Sequence, residues 1–232
     1  MQPARRGETF RAATARQHDS DAASTDALLD LARFDATALA TDPYDHLVVP
    51  HFIRPDALAA INRDYPTLPG PGAHPIETVG RDGAFAEFWN VVNGPVLRAR
   101  IAAKFDLELN EAATMATVRG ECEQADGAIH TDSRTKTITV LFYFNTTWPH
   151  AGGRLRLLRS STDIDDYAHE VIPEAGAMLV FRRCDWSYHG HLPFVGPRRT
   201  MQMHYVDAKR IVRNERKRRT VKWRIKKAFG LG

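Results

Sequence analysis

From about residue 113 the chain changes texture, and short runs begin in which apolar and polar side chains alternate: "KTITVLFYFN" at 136–145, "RLRLL" at 154–158, "GAMLVF" at 176–181 and "RRTMQMHYV" at 198–206. A repeat of two suits only extended strands, whose successive side chains point to opposite faces. The runs are short and are separated by Gly, Pro, Asp and Asn, which predicts an antiparallel sandwich or barrel.

Helical spacing comes first in the chain. "STDALLDLARF" offers Ser24 or Thr25 as a cap, "RPDALAAINRDY" sets Pro55 in a first turn before Leu58 and Ile61, and "PVLRARIAAKF" follows Gly94-Pro95. "YPTLPGPGAHP" between them reads as a loop. Helices followed by strands predict an α+β domain over 27–207 whose helices cover one sheet. Residues 1–26 carry arginines with no apolar stretch behind them and read as disordered, a transit-type segment being the sharper alternative. Two cysteines, Cys122 and Cys184, are too few for a disulfide framework, so a reducing cytoplasm is the expected compartment. The longest apolar runs fall far short of a membrane span.

Alternation also sorts the faces. Thr137, Thr139, Leu141, Tyr143 and Asn145 share one side of their strand, while Ile138, Val140, Phe142 and Phe144 share the other. Arg198, Thr200, Gln202 and His204 likewise oppose Arg199, Met201, Met203 and Tyr205. A solvated sheet gives this pattern, and so does a barrel whose polar lumen binds a small ligand.

"AIHTD" at 128–132 holds His130 and Asp132 two residues apart. With 10 His and 18 Asp in 232 residues, about 0.8 such triplets arise by chance, so the pair decides nothing alone. A non-haem iron site needs two imidazoles and one carboxylate with open positions left over. "DWSYHGHLPFVGPRRTMQMHYV" offers His189 or His191 as the third ligand, followed by Arg198 or Arg199, whose planar guanidinium can grip a carboxylate through two parallel hydrogen bonds.

In order along the chain stand "HTD", "TITVLFYFN" with "TTW", "GGRLRLL", "GAMLVF" and "HGHLPFVGPRR". This ordered set, over about 113–206, resembles the Fe(II)- and 2-oxoglutarate-dependent dioxygenases, and within them the prolyl-4-hydroxylase-like group. The resemblance implies a double-stranded β-helix, a jelly-roll or cupin-like barrel, with the N-terminal helices packed on one sheet. It implies His130, Asp132 and His189 as iron ligands, since Pro193 stands four residues after His189 as family members commonly have it. Arg198, nine residues beyond His189 and in a Gly-x-Arg form, would hold the far carboxylate of 2-oxoglutarate with Tyr143, and Thr139 would stand near. Ascorbate is a further cofactor that the resemblance allows. The implied reaction hydroxylates an unactivated C–H of a protein side chain, small molecule or glycan with release of succinate and CO2. The carboxylate of Asp132 argues against halogenation, because family halogenases lack it.

Blander roles stand beside these. His191 reads as a group next to the ligands or on the substrate side, Arg199 as a solvated or helix-facing charge, and His204 as a pocket or core histidine. His46, His51, His74, His150 and His169 read as surface or loop residues, Trp148 and Trp186 as packing residues, and both cysteines as small buried hydrophobes. "RGECEQADGA" and the helical front end are expected to shape access to the site.

From Asp207 onward eleven Lys and Arg face two acids, a net of +9 against +4 for the whole chain, so the basic balance belongs to the tail at 208–232. Val221, Ile225 and Phe229 at four-residue steps allow an amphipathic helix lying peripherally on an anionic membrane, at about 1 kcal/mol per basic residue. Nucleic acid would attract it as well and is the less favoured partner, and a solvated tail is the plainer reading. The alternative to an enzyme is therefore a non-catalytic jelly-roll binding protein that uses this tail. The sequence carries no signal for oligomeric state.

Overall fold

The structure, a computed structural model, describes residues 24–109 and 112–207. Most of the segment expected to be disordered, and the whole basic tail at 208–232, lie outside the described residues. Among the described residues, helices α1 (Leu31–Ala36), α2 (Pro55–Arg63), α3 (Gly83–Val92) and α4 (Pro95–Phe105), with a short helical stretch at 24–28 and a 3-10 turn at Ile76–Thr78, accompany nine strands. These are β1 (His46–Val49), β2 (His74–Pro75), β3 (Ala113–Cys122), β4 (Lys136–Tyr143), β5 (Leu155–Leu158), β6 (Tyr167–Val171), β7 (Met178–Arg182), β8 (His189–Gly190) and β9 (Gly196–Val206). None of the described helices is long and apolar enough to cross a membrane.

Pro55 and Pro95 open α2 and α4, as their sequences predict, because a first-turn residue needs no amide proton. The expected helix over 24–34 is broken in two. Residues 24–28 are helical, Leu29 bridges to Ile53, and the Asp30 carboxylate then accepts from the Arg33 amide to start α1 afresh. One helix escaped the sequence reading: α3 buries Phe85, Phe88, Trp89 and Val92 on a single face.

The strands form a six-stranded sheet, ordered β1-β7-β4-β9-β3-β2, and a three-stranded sheet, ordered β6-β5-β8, with every pairing antiparallel. Alternation assigns the faces of the larger sheet as expected. Ile138, Val140, Phe142, Met201, Met203 and Tyr205 pack under the helices in the main core. Leu141, Tyr143, Leu179 and Phe181 face the other way and meet Leu155, Leu157 and Val171 of the smaller sheet. Two sheets face to face with helices outside one of them make the jelly-roll, double-stranded β-helix architecture. The polar faces of β4 and β9 therefore look into the space between the sheets.

Phe142 is fully buried, its ring centroid 5.2 Å from that of Phe88 and 6.3 Å from that of Phe52. Phe142→Ala should cost about 3–5 kcal/mol in urea unfolding. Truncating Met115, 54% exposed, should change stability by less than about 0.5 kcal/mol.

Candidate metal centre

His189 sits in β8, with β5 on one side, where it lies opposite Leu157, and His130 on the other. His130 and His189 exchange both backbone hydrogen bonds, each 3.0 Å, so they form a directly opposed antiparallel pair with both side chains on one face. Their ring centroids are 4.3 Å apart. Asp132, two residues on, returns to that face, and one ligand atom from each of the three falls within 4.8 Å of the others. His191, two residues past His189, is not in this group.

The donors are arranged for a cation. His130 Nδ1 donates to the Ala128 carbonyl at 2.9 Å and His189 Nδ1 to the Ser187 carbonyl at 3.0 Å. A carbonyl only accepts, so both Nδ1 atoms carry the proton and both Nε2 lone pairs are left for a metal. Burial pushes the His189 pKa down to about 4, against the pull of Asp132, so its ring is neutral near pH 7 and has no proton to displace. Burial disfavours the Asp132 carboxylate too, but positive charge from His189, His204 and Lys136 outweighs it and holds the group well below the usual carboxylate range. Near pH 7 the two histidines are neutral, so Lys136 supplies the standing charge, its Nζ 2.6 Å from Asp132 Oδ1.

Arg198 and Tyr143 approach the same inner space from β9 and β4. Arg198 is 5% exposed and spends Nε on the Gly153 carbonyl at 2.8 Å. Its guanidinium carbon lies 5.6 Å from the centroid of the Tyr143 ring. The Tyr143 hydroxyl is fully buried with no hydrogen-bond partner, and burial, eased by Arg198, pushes its pKa up to about 12. A buried hydroxyl without a partner beside a buried guanidinium with free donors fits a carboxylate ligand. Thr139 stands elsewhere. Its hydroxyl is bonded to Asp132 Oδ2 and to His204 Nδ1.

A cleft of about 320 Å³ is lined by His130, His189 and Arg198, by Thr200 and Gln202 of β9, and by Arg119 and 125–128. The "RGECEQADGA" segment thus forms one wall, as its position suggested. At Gly127, with φ +96°, a Cβ would lie 2.4 Å from His191 Nδ1, so only glycine lets this wall close on that ring. Arg199 turns to the helices and donates to Asn62 of α2. Trp148 packs on Phe194, as expected, but Trp186 is 61% exposed because its loop turns it outward. His46, expected at the surface, is buried in β1. Lys136 was not singled out by sequence reasoning and no motif marks it, whereas Arg119 and Asp126 fall in the segment expected to shape access and Gln202 on the polar face of its strand.

Burial also lowers His191 and His204 to about 4. Between that value and the ordinary histidine value near 6.5, the unfolded chain binds protons that the folded one refuses, so stability rises with pH across this window. The metal-free protein should be fully stabilised above about pH 6.5 and lose on the order of 1–3 kcal/mol per buried histidine by pH 4. Asp132 then adds its own loss as pH falls through its still lower folded value. Urea unfolding at pH 7 and 4.5 checks this, and His191→Gln should remove about a third of the histidine-driven loss.

Residues 120–206 match the family model described as the 2OG-Fe(II) oxygenase superfamily. A search of curated proteins finds no match to the chain. Among solved structures, a prolyl-4-hydroxylase from Pseudomonas putida aligns with TM-score 0.51 at 20% identity, covering 70% of this chain and 86% of its own. Prolyl 4-hydroxylase from Phytophthora capsici aligns with TM-score 0.53 at 16% identity, covering 71% of this chain and 59% of its own. A prolyl hydroxylase from Trichoplax adhaerens, in complex with a hypoxia inducible factor peptide fragment, aligns with TM-score 0.50 at 15% identity, covering 84% and 94%. The matched segment contains the trio, Tyr143 and Arg198 on a prolyl-4-hydroxylase-like jelly roll, and residues 120–206 are in this sense similar to the 2OG-Fe(II) oxygenase superfamily, whose cofactors are Fe(II) and 2-oxoglutarate.

Proposed function

We propose that this dioxygenase hydroxylates an unactivated C–H of a protein side chain, small molecule or glycan, with His130, Asp132 and His189 holding Fe(II) and Arg198 and Tyr143 holding the far carboxylate of 2-oxoglutarate. The observation that carries the proposal is the Tyr143 hydroxyl, buried without a partner beside Arg198 and facing the same interior as the trio. Leaving a buried hydroxyl unpaired costs about 1–3 kcal/mol, which a bound carboxylate would recover. When bound, the iron and 2-oxoglutarate supply dioxygen activation, turning 2-oxoglutarate, O2 and R–H into succinate, CO2 and R–OH.

The chain's own part is positioning and exclusion. The two Nδ1–H bonds fix both imidazole tautomers, and the β8 bridge fixes the ring spacing. Arg198, locked through Nε by Gly153, presents its remaining N–H groups in one orientation. Leu141 and Leu155 line the cleft with apolar surface that limits water around the reacting centre.

Purified protein with Fe(II) and oxygen should convert 2-oxoglutarate to succinate, and His130→Ala should abolish this. Anaerobic addition of Fe(II) and 2-oxoglutarate should raise a charge-transfer absorption that Asp132→Ala lacks. Identical spectra for the two proteins would refute the assignment, and extracts screened for a mass gain of one oxygen would find the substrate. Tyr143→Phe separates site from fold. It should weaken 2-oxoglutarate binding about 2- to 10-fold while leaving the ligand-free protein as stable as wild type or more so, because the orphaned hydroxyl is gone. A Tyr143→Phe protein that binds 2-oxoglutarate normally argues against this grip.

A further inference from the structure

Asp132 differs from the two histidines in what holds it. His130 and His189 are tied to each other through the backbone, whereas 131–135 form no regular strand, so the carboxylate must be aimed by its side-chain partners. Thr139 is fully buried at the middle of β4, directly opposite His204 of β9 in the sheet register. These are the two central strands of the six-stranded sheet. Thr139 Oγ1 lies 2.5 Å from Asp132 Oδ2 and 3.0 Å from His204 Nδ1, and His204 Nδ1 itself is 4.0 Å from Asp132 Oδ2, too far to bond it directly.

The direction of these bonds is forced. A carboxylate can only accept, so Thr139 gives Asp132 its one hydroxyl proton, and His204 must then donate Nδ1–H to the Thr139 oxygen. Each member has one role available to it, and reversing either bond would leave a buried lone pair facing another lone pair.

We infer that Thr139, itself oriented by His204, is a positioning residue that ties the loop-borne carboxylate of Asp132 to the rigid centre of the sheet and so sets metal affinity. This rests on the metal reading of His130, Asp132 and His189. Oδ2 has a second lone pair, so the tie leaves room for a ligand bond from the same carboxylate. Thr139 therefore serves the metal ligand, leaving the co-substrate to Arg198 and Tyr143.

The test is anaerobic titration of the full chain with Co(II) alone, followed by its visible ligand-field absorption. Wild type should bind and Asp132→Ala should bind far more weakly, and if these two agree the metal reading fails and the inference goes with it. Given that difference, Thr139→Val, of nearly equal volume, should weaken Co(II) binding about 10- to 100-fold. Thr139→Ser, which keeps the hydroxyl, should restore binding to within about threefold of wild type. Thr139→Val binding Co(II) like wild type would overturn the positioning role while leaving the metal site standing. Should Thr139→Val fail to fold, His204→Leu reads the same chain one step back. Weaker Co(II) binding with altered band intensities supports the inference, and an unchanged affinity and spectrum overturns it.

Discussion

The reciprocal pair of backbone hydrogen bonds between His130 and His189 is the constraint on which the rest of the site depends. Fifty-nine positions apart in sequence, the two residues are made neighbours by sheet pairing alone. Once they oppose each other in an antiparallel bridge, the pleat turns both rings to one side. The placement of the two rings is thus backbone geometry, whereas Asp132, outside any strand, is aimed by its side-chain partners.

Everything else supports that placement at an energetic cost borne by the core. The apolar sides of β4 and β9 are packed under the helices, which frees their other sides to bring Thr139, Tyr143, Arg198 and His204 into the space between the sheets. Those groups are costly to bury. Thr139 and His204 offset the cost by bonding each other, Thr139 also bonds Asp132, and Arg198 does so in part through Gly153, whereas Tyr143 leaves its hydroxyl unpaired. The Tyr205 hydroxyl is likewise buried without a partner, but in the helix-covered core, so what sets Tyr143 apart is the Arg198 guanidinium over its ring between the sheets.

Much of this was legible in the chain because strand alternation is strict in β4 and β9. It set Phe142 and Met203 on one face and Tyr143 and Arg198 on the other, and the structure makes the first the helix-covered core and the second the interior between the sheets. What alternation could not carry was any place where the register slips. The pairing of β4 with β9 shifts between Lys136 and Ile138, and this irregularity turns Lys136 to Asp132 although simple parity would set it on the side of Ile138. A comparable shift in β3 between Arg119 and Glu121 precedes the wall of the cleft. Helix α3 was missed for another reason. Its apolar residues do fall at helical spacing, but it lies beside loop-forming glycines and lacks a side-chain hydrogen bond at its cap. Thr139 was placed on the correct face, yet face alone does not say whether a hydroxyl meets a co-substrate or a ligand residue.

Charge ties the parts of the site together on the proposed reading. Near pH 7 the buried His189 and His204 are neutral, so the standing charges are Asp132 against Lys136 and Arg198, while Arg119 and Asp126 cancel across the cleft wall at 2.5 Å. That leaves one net positive charge around the site. A divalent cation alone would triple it, in the company of a lysine ammonium that already competes for Asp132. A dianionic co-substrate alone would invert it. The two together leave the balance unchanged, so in a medium where unpaired charge is expensive each lowers the cost of admitting the other. On that reading metal and co-substrate affinity are coupled through the protein's own fixed charges.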